Sequence, residues 1–206
     1  MTEQPQLSLD FAASEACPDG HVFRPPRAEP PGACLACGLE LVDWDRLHRR
    51  DPLDWAYTLA CLRRERLRRP QWEGEIDEQA LTRYHKTAAR LRESAERRLR
   101  QSVGKVYGSG PDARPYRDGY QTPTHGDIVF YAQHALACCC RRCIRYWHGI
   151  PYGRALSDDE VSYFADLILH FVANRMGQAG ADSSLEAADA KPGGVRPPAR
   201  PGRRGD

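Results

Sequence analysis

The residues best suited to chemistry lie in one run, His134-Ala-Leu-Ala-Cys138-Cys139-Cys140-Arg-Arg-Cys143-Ile-Arg-Tyr-Trp147-His148, which holds four of the eight cysteines. Cys140 and Cys143 form a C-x-x-C pair, and Cys139 stands four residues before Cys143. Thiolate and imidazole at such spacing suit a borderline-soft ion such as zinc. Three other uses of the run are open. Small thiols can pad a tight core. Thiolates next to Arg141, Arg142 and Arg145 can be reactive. An iron–sulfur cluster would need a fourth cysteine, and none is obvious nearby.

A second group stands near the N-terminus. Cys17-x3-His21 and Cys34-x2-Cys37-Gly38 give four ligands in two knuckles, with twelve residues between His21 and Cys34. Structural zinc sites close with four such ligands. Pro25, Pro26, Pro30, Pro31 and Gly32 lie between the knuckles and cannot build a core, so a metal would supply the missing stability. His48 is an alternative ligand, and Cys61 is expected to be core. Two zinc sites are therefore expected.

Two further features point to partners. Gln6-Leu7-Ser-Leu9-Asp-Phe11 resembles the clamp-binding peptide of bacterial DNA replication and repair proteins. In an extended segment Leu9 and Phe11 would enter adjoining apolar pockets while Gln6 bonds the rim. Arg63, Arg64, Arg66, Arg68 and Arg69 form a dense cationic run able to bind phosphate backbones, of DNA or RNA, without reading sequence. Arg97, Arg98 and Arg100 instead read as a solvated helix face laced with Glu93 and Glu96. Tyr107, Tyr116 and Tyr120 are mixed with Arg114 and Arg117; they can stack on unpaired bases or pack on the helices.

These groups need elements to hold them. The chain has 206 residues, with 30 Lys+Arg against 28 Asp+Glu, and lysine occurs only at 86, 105 and 191. No stretch approaches the roughly 18 apolar residues of a membrane span, and no signal pattern opens the chain. A cytoplasmic, non-membrane protein with metal-bound or reduced cysteines is expected. The expected fold is mainly α, a small helical domain around a buried Cys/His-rich helix, preceded by a zinc-knuckle segment. Residues 1–16 read as a flexible lead, 17–50 as the knuckle segment, 51–176 as the helical domain and 177–206 as a disordered basic tail.

Within 51–176, Asp51-Pro52 caps a helix that should run through Trp55 to about Arg69, where Pro70 stops it. A second helix is expected over 76–102, a long loop over 104–126, a third helix over 127–147 and a fourth opened by the Ser157–Glu160 capping box. A zinc-ribbon hairpin can form at 34–42. On an ideal helix, Cys139, Cys140 and Cys143 share one face and His134 and Cys138 another. Completion of the site then falls either to His148, if the chain turns at Gly149, or to His134, if the helix distorts.

Thr122-Pro123, Ala132-Gln133-His134-Ala135, Cys139-Cys140-Arg141, Cys143, Trp147-His148-Gly149-Ile150-Pro151 and Gly153-Arg154 resemble the signature of a small uncharacterised bacterial family, domain of unknown function 4186. The resemblance covers roughly residues 76–175. It implies His134, Cys139, Cys140, Cys143 and His148 as the working set, treats Cys138 as an extra, and implies no reaction. The family has an Arg and then a His where this chain has His125 and Asp127. Three functions follow as expectations. The first is a zinc-binding accessory factor of DNA replication, repair, phage or plasmid biology, recruited to the sliding clamp. The second is a metal-dependent, nuclease-like enzyme with His125, Asp127 and His134 as candidate catalytic groups. The third is a thiol- or metal-responsive regulator.

Overall fold

A computed structural model describes residues 16–25, 31–84, 87–108 and 113–189, with side chains as far as Gly177. The protein is mainly helical. Helix α1 spans Trp44–His48, α2 Trp55–Arg64, α3 Arg69–Glu73, α4 Glu78–Arg83, α5 Ala88–Arg98, α6 Ile128–Ala135, α7 Arg141–His148 and α8 Asp158–Asp189. A 3-10 turn, Pro52–Asp54, leads into α2, and a π turn, Leu99–Val103, ends α5.

The apolar faces meet in one core. Val161, Phe164, Leu167, Ile168 and Phe171 of α8 are buried with Leu91 and Ala95 of α5, Ile128, Val129 and Ala132 of α6, and Ile144 and Trp147 of α7. Helix α8 packs against both α5 and α6, α3 packs against α6, and α1 packs against α7. The start of α8 follows its sequence signal. Ser157 Oγ accepts from the Glu160 amide at 3.3 Å, and Glu160 Oε2 accepts from the Ser157 amide at 2.9 Å, satisfying two amides that the first turn leaves bare.

Three expected helices are broken, the first and third where tertiary contacts replace the helical ones. The first ends at Arg64, because Glu65 turns extended at ψ 122. The Glu65 segment instead pairs with the N-terminal segment: His21 N donates to Arg64 O at 2.7 Å, and Arg66 N donates to His21 O at 2.8 Å. Pro70 does not stop this helix but lies in the first turn of α3, where its missing N–H costs nothing. The second helix divides into α4 and α5, with Thr87 capping α5. The third divides at Leu136–Cys140, where Ala137 adopts φ 55.

Helix α8 runs on to Asp189, past the expected boundary at 176; its alanines favour that state. The loop between α5 and α6 contains a two-residue antiparallel pair, β1 (Val106–Tyr107) with β2 (Arg114–Pro115). Around the knuckles, isolated bridges join Phe23 to Cys34 and Ala33 to Glu40, in place of a regular hairpin at 34–42. Among the described residues no helix is long and apolar enough to cross a membrane.

Candidate functional site

Two turns bring the N-terminal ligands together. The Gly20 amide donates to Cys17 O at 2.9 Å, and the Gly38 amide donates to Cys34 O at 3.0 Å. Gly38 sits at φ 75, a conformation that side chains resist. The ligand atoms of Cys17, His21, Cys34 and Cys37 then lie within 4.8 Å of one another. Cys17 Sγ stands 3.9 Å from Cys34 Sγ, and Cys37 Sγ stands 3.6 Å from His21 Nδ1. Four bonds of the usual zinc lengths in a tetrahedron put sulfurs about 3.8 Å apart and sulfur and nitrogen about 3.5 Å apart, so the group fits zinc.

The electrostatics prepare one thiolate. Burial opposes ionisation of Cys34, but the amides of Cys37, Ala36 and Val22 and the His21 side chain outweigh it, and the thiol falls to about 6. Burial and the neighbouring Cys37 and Cys34 push Cys17 up to about 12.

The core group arises differently from the expected helix face. Cys140 is the extended N-cap of α7, at φ −157 and ψ 165. Cys143 is in the first turn of that helix, and Cys139 precedes the cap. Thr122 Oγ1 donates to Cys139 O at 2.9 Å, and Gln121 Oε1 accepts from the Arg141 amide at 3.0 Å. The break between α6 and α7 therefore places three thiols within 4.8 Å of one another, and all three fit thiolate ligation of zinc.

The cation at this cluster is Arg68, which is 3% exposed. Its Nη2 is 3.4 Å from Cys143 Sγ, its Nη1 donates to His134 O at 2.6 Å, and its Nε is 2.5 Å from Glu65 Oε2. The thiols of Cys139 and Cys140, with Arg68, hold Cys143 far below the usual thiol range against its burial. Hydrogen bonds with Cys140 and Cys143, and then burial, push Cys139 the other way. The sequence neighbours expected to stabilise thiolates face elsewhere. Arg141 donates to the carbonyls of Pro151 and Arg154, Arg142 pairs with Asp118, and Arg145 lies over Tyr152.

The remaining candidates are dispersed. His134 Nε2 is 3.2 Å from Pro123 O, and burial lowers the affinity of the ring for protons. His148 is buried, with Nε2 donating to Leu136 O at 2.9 Å and its ring edge-on to Phe164. Neither imidazole joins the three-thiol group. Cys138 is fully buried outside it. His125 is exposed and bonded to Thr124, while Asp127 caps α6 through the Val129 amide. His48 bonds Tyr146 O, and Cys61 is buried in the core.

Of the five arginines expected to meet nucleic acid, Arg68 is not on the surface. Arg69 and Arg63 pair with Glu73 at 2.6 and 3.8 Å, Arg66 is exposed and Arg64 is partly buried. Gln6, Leu7, Leu9 and Phe11 lie outside the described residues. Nothing in the local sequence marks Arg68 and Glu65 as parts of the core site. They sit in an arginine run whose periodicity gives no sign of which member turns inward.

No solved structure matches the chain. The pattern of the family described as Domain of unknown function (DUF4186) matches residues 58–173. That span contains Arg68 and all three core thiols, begins earlier than the signature suggested, and leaves the Cys17–Cys37 group outside. The chain belongs to the DUF4186 family.

Proposed function

We propose that this protein is a zinc-binding accessory factor of bacterial DNA replication or repair, or of phage or plasmid biology, and is not itself the catalyst. The observation that carries the reading is the closed Cys17/His21/Cys34/Cys37 group, whose spacing fits zinc with no coordination position left for substrate. Zinc there acts structurally, holding a segment too rich in turns to fold alone. A second zinc lies at Cys139, Cys140 and Cys143. His134 is the better candidate to complete that shell: its carbonyl sits on the Arg68 guanidinium that meets Cys143, and its Nε2, 3.2 Å from Pro123 O, leaves Nδ1 as the lone-pair nitrogen. His148 is held away from the thiols at Leu136.

Recruitment runs through Gln6, Leu7, Leu9 and Phe11 docking on the DNA sliding clamp, with Arg63, Arg64, Arg66 and Arg69 making weak phosphate contacts. The protein works in the cytoplasm. A metal-dependent nuclease is the second reading. It is favoured by the three-ligand core group, the number that catalytic zinc sites keep, but His125 and Asp127 are occupied locally rather than converging on it.

Two measurements test the proposal. Elemental analysis of the purified chain should find two zinc per protein; none would remove the zinc reading. A clamp pull-down should retain the wild type and lose a Leu9→Ala, Phe11→Ala variant. Equal retention of the two would sink the docking peptide.

A further inference from the structure

We infer that Arg68 is the built-in counter-charge of the core thiol centre, and that this centre is made for a divalent ion held by three thiolates. The inference rests on the proposal that Cys139, Cys140 and Cys143 bind metal. Three thiolates on a divalent ion leave one excess negative charge in a buried place. An uncompensated buried charge is costly, and outer groups that bond the ligands tune metal affinity. Arg68 answers that charge from inside the fold. Its guanidinium is buried, and it reaches the ligand sulfur of Cys143 through Nη2.

The fork is held from three directions. Nη1 bonds His134 O at the end of α6, Nε meets Glu65, and the Trp147 ring lies under the guanidinium at 5.7 Å. Arginine therefore ties α6, the segment after α2 and the thiol-bearing helix α7 to one point. Glu65 already takes part of this one cation, so a monovalent soft ion, which leaves two negative charges on three thiolates, matches it worse than a divalent ion, which leaves one. The break of α2 at Glu65 fits the same role. An unbroken helix through Arg69 would keep the register of the arginine run, whereas the extended Glu65 turns Arg68 away from solvent and into the core.

The test is a competitive titration of the full chain with cobalt(II) and then zinc, following the thiolate-to-cobalt absorption. The N-terminal site has its own four ligands and touches the Glu65 segment through the His21 backbone rather than through a ligand atom, so it is the internal reference. Arg68→Met should weaken the core site by about 10- to 100-fold and leave the N-terminal affinity unchanged. Arg68→Lys, which keeps the charge but loses the fork, should recover most of that loss. Full affinity of the core site in both variants would overturn the role of Arg68. Should Arg68→Met fail to fold, Arg68→Gln decides, since it keeps a hydrogen-bond donor but not the charge. A core affinity within twofold of wild type would overturn the inference, and a larger loss would support it. Cys139→Ser and Cys143→Ser separate this from the parent reading. The double variant with both substitutions should bind one metal fewer than wild type; if it binds as many, the core thiols do not hold the second ion, whatever Arg68 does.

Discussion

At the scale of the residue, the same buried setting gives cysteine, arginine and histidine different tasks. Arg68 keeps its charge because thiols and Glu65 surround it. His148 instead is driven down to about 3 from its ordinary 6.5, by burial above all and by the facing cations Arg68 and Arg50. Its Nε2 donates to Leu136 O, a bond that favours the proton, but burial outweighs it and the folded protein holds the neutral ring. Above pH 6.5 the ring is neutral in both states and contributes no pH dependence. Below it, the unfolded chain takes up a proton that the folded chain refuses, so stability falls as pH falls, until about pH 3. The slope is about 1.4 kcal/mol per pH unit for one such group. His148→Gln keeps a donor for the carbonyl and does not titrate. Urea unfolding of both proteins at pH 7, 6, 5 and 4 should show the wild type losing ground to the variant by about that slope. Parallel curves would mean that the ring takes its proton inside the fold. Acid release of metal affects both proteins and leaves the difference intact.

At the scale of the element, chain breaks make the core site. Cys140 caps α7 while Ala137 turns the chain, so the thiols converge from a loop and a first turn. Gly149 closes the other end of α7. It sits at φ 66, and a β-carbon there would lie 2.8 Å from Cγ of His48. His48 in turn bonds Tyr146 O and so fixes α1 on α7. Gly149→Ala should lower stability by about 2 kcal/mol, read as a fall in the thermal midpoint. An unchanged midpoint would mean that α1 yields freely. Much of this was legible in the sequence and some was not. The Ser157–Glu160 box, the apolar face of α8 and the grouping of Cys139, Cys140 and Cys143 follow from local spacing. The division of residues 127–147 does not, because both halves are apolar. What separates them is a set of distant partners, Thr122 and Gln121, that bond the chain at the break. Arg68 was unreadable for the same reason, since its partners lie in α6 and α7.

At the scale of the whole molecule, the N-terminal group and the helices are joined by more than chain connection. Phe23 packs edge-on against Trp147, Tyr146 Oη donates to Phe23 O at 2.8 Å, and Trp44 Nε1 donates to Arg24 O at 3.2 Å. The knuckle therefore rests on α7, the helix that carries the core thiols. Besides the two turn bonds at Gly20 and Gly38, its backbone bonds among the described residues include Arg24 N to Ala33 O, Leu35 N to Val22 O, Cys34 N to Leu39 O and Leu41 N to Gly32 O. Phe23, Leu41 and Val42 tie this segment to the apolar core, but the turns at Cys17–Gly20 and Cys34–Gly38 depend on the ligands for their geometry. The helices keep a continuous core from α5 through α8 without them. Removing metal should therefore open the molecule unevenly. Hydrogen exchange with a zinc chelator should speed the amides of Arg24, Cys34, Leu35 and Gly38 by orders of magnitude, because local opening then replaces global unfolding as their route to solvent. Phe164, Ile168 and Phe171 of α8 should exchange nearly as slowly as before. If α8 and the knuckle lose protection together, metal holds the entire fold rather than stapling one segment to it. If neither changes, the four N-terminal ligands hold no metal that matters for structure. Amides of Ile144 and Trp147 should fall between these limits, since α7 loses the Phe23 contact and the core ion but keeps its packing on α1.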